Sequence, residues 1–162
     1  MKLHLMTWSK CLLPLVLAIM VSASVSEAAS VKEELANFVE GRLPPEQLTI
    51  TYSDLHGLWG GLEMVVEGTG KVTQQAVQVK AHPARALDRG EVLQLVRLLI
   101  RMEMWKQKVP DRTPLADEAR AYLKIQAGKS SAEIWEWYND LEKNNRLIQV
   151  SKLMKKLAWS TE

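Results

Sequence analysis

The chain has 162 residues, with 21 basic and 19 acidic side chains and a single cysteine. So balanced a charge excludes a broad electrostatic pull toward nucleic acid or anionic lipid, and no basic cluster with interleaved aromatics supplies one locally. One cysteine, Cys11, excludes a disulfide framework, so a small exported domain built from this chain must stand on packing alone.

Lys2 and Lys10 make a basic start, Cys11 to Val21 form a short apolar run, and small residues continue through Ser30. Ser26-Glu27-Ala28 puts small residues at the −3 and −1 positions of a cleavage site. This order predicts a secretory signal peptide over residues 1–28, followed by one α+β domain over 29–162 in a secreted or periplasmic location. The apolar run of about 11 residues falls short of the roughly 20 that a membrane helix needs. The membrane therefore enters only through this segment, if it stays uncleaved. Lys10 stands where a lipid-attachment site needs a small residue, so Cys11 is not read as one. Cleavage after Ala28 removes Lys2, Lys10 and Glu27, leaving 134 residues with 19 basic and 18 acidic side chains and no cysteine.

Leu35, Phe38 and Val39 give Val31 to Glu40 a weak helical pattern that Gly41 stops, and Pro44-Pro45 breaks the chain. From Gln47 to Tyr52 the alternation is clean, with Leu48, Ile50 and Tyr52 on one face. The glycine-rich turn His56-Gly57-Leu58-Trp59-Gly60-Gly61 follows, and then Leu62, Met64 and Val66 alternate with Glu63 and Glu67. Gly68-Thr69-Gly70 closes a second hairpin into Val72 to Lys80, which completes a three-strand antiparallel meander. Asp88 and Glu91 form a capping box for a helix whose stripe runs through Val92, Leu95, Leu99 and Met102 and ends near Trp105.

Val109-Pro110 to Pro114 reads as a loop and Ala121 to Gln126 as a fourth strand turned by Gly128-Lys129. Two patterns then compete. Ser130 with Glu133 and Ile134, Trp137, Tyr138 and Leu141 fit a helix, whereas aromatic density and the need to pair the fourth strand favour a strand over 131–138. We take the strand, followed by an amphipathic helix over Leu147 to Trp159. The predicted fold is α+β: an antiparallel sheet of about five strands, a meander then a hairpin, with two main helices on one face and a short N-terminal helix.

From Gln47 to Trp159 this order resembles the emfourin-like small domains. The matches are Tyr52 followed by Gly57-Leu58-Trp59-Gly60-Gly61, the hairpin from Gly68 to Val79, the helix near Asp88, and Ala121-Tyr122-Leu123-Lys124-Ile125 after Pro110-Asp111. The resemblance implies inhibition of a thermolysin-type metalloprotease, and it assigns no inhibitory contact to a particular residue.

Asp54, His56 and Glu63 can be assembled on paper into an acid–base set, but Asp54-x-His56 is neither a metal-ligand spacing nor a nucleophile arrangement. These are read as solvated turn residues. With His82 as the only other histidine beyond residue 28, no metal site is expected, and Gly57-x-x-Gly60-Gly61 lacks the ending of a phosphate loop. No cofactor and no catalytic residue is expected. The aromatics carry the functional reading: Trp59 on its turn, and Trp135 and Trp137 on the strand face opposite Ile134, are the expected partner-binding surface with Gly57, Leu58, Gly60 and Gly61. The leading expectation is a non-enzymatic protein that binds another protein, an exported protease on the resemblance. The alternative is a small-molecule or glycan carrier using Trp135 and Trp137 as a stacking platform.

Overall fold

A computed structural model describes the backbone of residues 22–159 and the side chains from Ser30 onward. The expected signal peptide lies largely outside the described residues. Five strands form one antiparallel sheet: β1 (Leu48–Ser53), β2 (Gly61–Glu67), β3 (Val72–Val77), β4 (Arg120–Ala127) and β5 (Ser130–Trp137). Their spatial order is β3-β2-β1-β4-β5, with the chain's first strand at the centre. Among the described residues three α-helices accompany them: α1 (Ser22–Val39), α2 (Arg89–Arg101) and α3 (Asn145–Ala158). The fold is α+β. Among the described residues no helix is long and apolar enough to cross a membrane.

Strand alternation decides which face is covered. Leu48, Ile50 and Tyr52 on β1 stand opposite Ala127, Ile125 and Leu123 on β4, and Ile50 and Tyr52 also oppose Val66 and Met64 on β2. All of these are buried. They pack against Val31, Leu35 and Phe38 of α1, the Val92-Leu95-Val96-Leu99 stripe of α2, and Leu147, Val150 and Met154 of α3 in one core. The opposite face carries Thr49, Thr51, Glu63, Lys124 and Glu133 and meets solvent to varying degrees. One face dry and one wet is the usual economy of an antiparallel sheet.

Four boundaries differ from the sequence reading, one being β3, which ends at Val77 rather than Lys80 because Gln78 turns in a left-handed backbone (φ +56°). The N-terminal helix is not short: α1 begins at Ser22 and runs unbroken past Ala28. It belongs to the helical layer, lying over β5 and β4 and touching α2, with the Ser30 and Ser130 hydroxyls hydrogen-bonded. Next, α2 stops at Arg101 rather than near Trp105. Glu103 takes a left-handed backbone (φ +46°) and a separate 3-10 turn follows at Met104–Lys106. Finally, a 3-10 segment over Tyr138–Lys143 links β5 to α3, whose first turn Asn144 caps by accepting from Leu147 N at 3.1 Å.

The segment over 130–137 is a strand, in register with β4 from Ala127↔Ser130 to Arg120↔Trp137. The capping box of α2 is reciprocal: Asp88 Oδ1 accepts from Glu91 N, and Glu91 Oε2 accepts from Asp88 N, both at 2.9 Å. Arg85 reaches the same Glu91 carboxylate and, with the Asp88 amide, holds it below its ordinary range at about 2. Replacing a capping carboxylate by alanine costs about 1 kcal/mol. Asp88→Ala is therefore expected to lower the urea midpoint by that equivalent with the denaturant slope unchanged, and Asp88→Asn to retain most of the stability.

Candidate binding site at the Leu58–Trp59 turn

The segment joining β1 to β2 is a clamped turn. His56 N donates to Gly60 O at 2.8 Å and Gly60 N returns a bond to His56 O at 2.9 Å. Inside that ring, His56 Nδ1 faces the amides of Leu58 (3.1 Å) and Trp59 (3.4 Å) as their acceptor. Its imidazole is 7 % exposed and lies 4.8 Å, centroid to centroid, from Tyr138.

Asp54 closes the base of the turn. Its Oδ1 accepts from Leu62 N at 2.7 Å, its Oδ2 from the Tyr52 hydroxyl at 3.0 Å, and Lys155 Nζ of α3 lies 3.9 Å away. Burial, then the Asp54 charge, pushes the Tyr52 phenol above its ordinary range, so it stays a donor. Asp54 and His56 are thus not solvated turn residues. Both are inward-facing: Asp54 Oδ1 and His56 Nδ1 accept from the backbone that shapes the turn, and Asp54 Oδ2 from the Tyr52 phenol.

The two last glycines of the turn are required by approach distance. A β-carbon on Gly60 (φ +71°) would sit 2.0 Å from Val77 O, and one on Gly61 (φ +143°) 2.3 Å from Asp54 O. Gly57 has open space around it. Between them, Leu58 and Trp59 are 63 % and 66 % exposed, the most exposed large apolar side chains among the described residues. The others are Val77, Val79, Val109 and Leu115. Val77 ends β3, and Val109 and Leu115 belong to the loop that leads into β4. Val77 and Val79 lie beside the turn, at the end of the sheet where β1 and β3 finish and β2 begins. Under the turn, a cleft of about 140 Å³ is lined by Asp54, Lys80, Tyr138, Lys155 and Trp159.

The structure separates the tryptophans that the sequence grouped. Trp135 and Trp137 do lie on the face opposite Ile134, edge to face at 4.9 Å. They are not an open platform. The Arg120 guanidinium sits 4.1 Å over Trp135 and 5.1 Å from Trp137, which satisfies a cation–π geometry and occupies the stacking position. Trp137 is only 6 % exposed, and its Nε1 donates to Arg112 O at 3.3 Å. The cover is the loop before β4, pinned by Arg112. That guanidinium forks onto Glu118 at 2.6 and 2.8 Å and reaches Asp140 at 2.6 Å. Farther along the same face, Tyr122 donates to Glu63 Oε2 at 2.9 Å. Glu63 is therefore tied to β4 rather than grouped with His56.

Among the described residues, no group of three or more His, Cys, Asp or Glu side chains is placed to hold a metal ion. Comparison with protein-family models, with curated proteins and with solved structures returned no match.

Arg112, with help from the Leu115 and Asn139 amides, holds the Glu118 carboxyl down from its usual 4.5 to about 2. A depressed carboxylate contributes stability that is fully present above its unfolded value and is lost as pH falls through its folded one. The loop over Trp137 is therefore expected to loosen between about pH 4.5 and pH 2. The readout is a red shift of tryptophan emission that Trp137→Phe abolishes and Glu118→Gln makes independent of pH in that window.

Proposed function

We propose that this chain is an exported, non-enzymatic interaction protein that grips a protein partner with the Leu58–Trp59 turn. One observation carries the reading: two large apolar side chains are held in water by a turn whose backbone is fixed from both sides. Fully burying each is worth roughly 1.5–3 kcal/mol. Docking such a turn costs little further ordering, because His56, Asp54 and the close glycine contacts have already selected its conformation. Tryptophan is enriched among the residues that dominate interfaces, and the exposed Val77 and Val79 beside the turn extend its apolar surface. The resemblance to emfourin-like domains supports a thermolysin-type metalloprotease as the partner class. The basic-apolar-small order of residues 1–28 supports an exported setting for both.

Titrating the purified protein into a thermolysin-type protease, with peptide hydrolysis as the signal, tests both parts. Hydrolysis is expected to fall with dose, and Trp59→Ala to require about 30-fold more protein, the equivalent of about 2 kcal/mol. Its urea midpoint should match the parent, since the side chain it removes is largely exposed. Undiminished hydrolysis at saturating protein would reject the protease as partner. Equal potency of Trp59→Ala would reject the turn as the contact.

A further inference from the structure

The two edges of the sheet are finished differently. On β5 the hairpin register turns the backbone groups of Ser131, Glu133, Trp135 and Trp137 outward. That edge is occupied: Gln107 Nε2 donates to Trp135 O at 3.3 Å, and α1 and the 3-10 turn at Met104–Lys106 pack along the strand. It also carries an exposed Glu133.

On β3 the hydrogen bond from Glu67 N to Lys71 O sets the phase of the ladder. Thr73, Gln75 and Val77 therefore bond to Val65, Glu63 and Gly61 of β2, and the N–H and C=O groups of Val72, Gln74 and Ala76 point away from the sheet. Among the described residues no loop backbone hydrogen bond reaches them. The chain leaving β3 rejoins this edge only at its start, where Leu87 N donates to Gly70 O at 2.8 Å, and leaves the three residues beyond unpaired. Gln78 turns in a left-handed conformation (φ +56°), Gln74 Nε2 on the covered face donates to His82 O at 2.6 Å, and Arg85 N bonds Ala158 O at 2.8 Å. That segment is drawn under the sheet toward the end of α3.

An open edge is normally blunted by charge, proline, a bulge or a covering element. Val72-Thr73-Gln74-Gln75-Ala76-Val77 has no charge and no proline, pairs without a bulge, and leaves Thr73, Gln75, Ala76 and Val77 exposed. It is also self-complementary. When two copies run antiparallel about a two-fold axis through Gln74, Val72 faces Ala76, Gln74 faces Gln74, and every one of these residues is of the outward-bonding set. Thr73 then opposes Gln75 on the wet face, and no like charges meet within the strand.

We propose that β3 is the docking edge for a second copy of this chain, joining two sheets into one continuous sheet across a two-fold axis. A stable interface needs about 1,000 Å² or more. Short paired strands with Val77 beside them fall at the low end, so the dimer is weak and fills with concentration.

Sedimentation of the purified protein from micromolar to near-millimolar concentration should show a reversible monomer–dimer equilibrium. Amide exchange gives the register. The Val72, Gln74 and Ala76 amides should slow at least 10-fold as the dimer fills, while those of Thr73, Gln75 and Val77 stay protected throughout. Ala76→Pro removes an outward N–H without touching the β2 ladder and should leave a monomer. Thr73→Lys with Gln75→Lys sets lysine against lysine at both wet-face pairs and should do the same, and mixing that variant with Thr73→Glu/Gln75→Glu should restore a mixed dimer. Folding of each variant is read from its circular dichroism, and the Lys/Glu pair keeps the test decisive if Ala76→Pro unfolds. A wild-type chain that stays monomeric across the range, or a dimer that survives Thr73→Lys/Gln75→Lys, overturns the proposal. Trp59→Ala should dimerise like its parent, which separates this outcome from that of the partner-binding turn.

Discussion

The Asp54 carboxylate is the point on which the β1–β2 end of this molecule depends. It stands just past β1, where the chain must leave the sheet, reverse and re-enter as β2. One oxygen holds the first amides of β2 through Leu62, and the other takes the phenol of Tyr52 from the covered face, with Lys155 of α3 nearby. A hairpin, its own buried aromatic and the last helix thus converge on one acidic group. Losing it would orphan the Leu62 amide, a cost of about 1–3 kcal/mol, and leave the Tyr52 phenol only its Ser151 partner. The backbone of Gly61 can come this close to Asp54 only because no β-carbon intervenes.

His56 works on the same principle one step outward. A histidine on a turn reads as a solvent-facing group until its partners are known. Here the ring is packed against Tyr138, which arrives from beyond β5, and its Nδ1 replaces the water that two turn amides would otherwise need. The polar residues at this end therefore order the turn: Asp54 Oδ1 and His56 Nδ1 are committed to its amides, and Asp54 Oδ2 to the Tyr52 phenol.

The strands were legible because alternation is a local property. Leu48-Thr49-Ile50-Thr51-Tyr52 declares its buried face without reference to any other segment, and Gly128-Lys129 with the unpaired fourth strand was enough to decide 130–137 against its helical pattern. What could not be read depends on residues remote in the chain. Arg112 covers Trp137 from 25 positions away, and Arg120 reaches both indoles only because β4 and β5 pair in one register. The burial of Asp54 and His56 rests on Leu62, Tyr138 and Lys155 in the same way. The early end of α2 escaped for a different reason. Met102 and Trp105 continue the apolar pattern, but Glu103 adopts a backbone that breaks the helix between them.

The contrast among the tryptophans bears on what this end of the sheet is for. Trp137 and Trp159 satisfy their indole N–H groups on Arg112 O and on Gln74, and Trp135 is faced by a guanidinium. Trp105 packs half-buried against the core. Trp59 is the exception: its ring lies 6.4 Å from a histidine that is itself engaged, and two-thirds of its surface faces water. Nothing in the turn's geometry requires so large a side chain there, because the constraint falls on Gly60, Gly61 and the His56–Gly60 bonds. A polar residue in its place would leave that geometry intact and avoid exposing apolar area. Folding therefore gives no reason for an indole at residue 59, whereas burial against a second protein would recover the free energy that its exposure withholds.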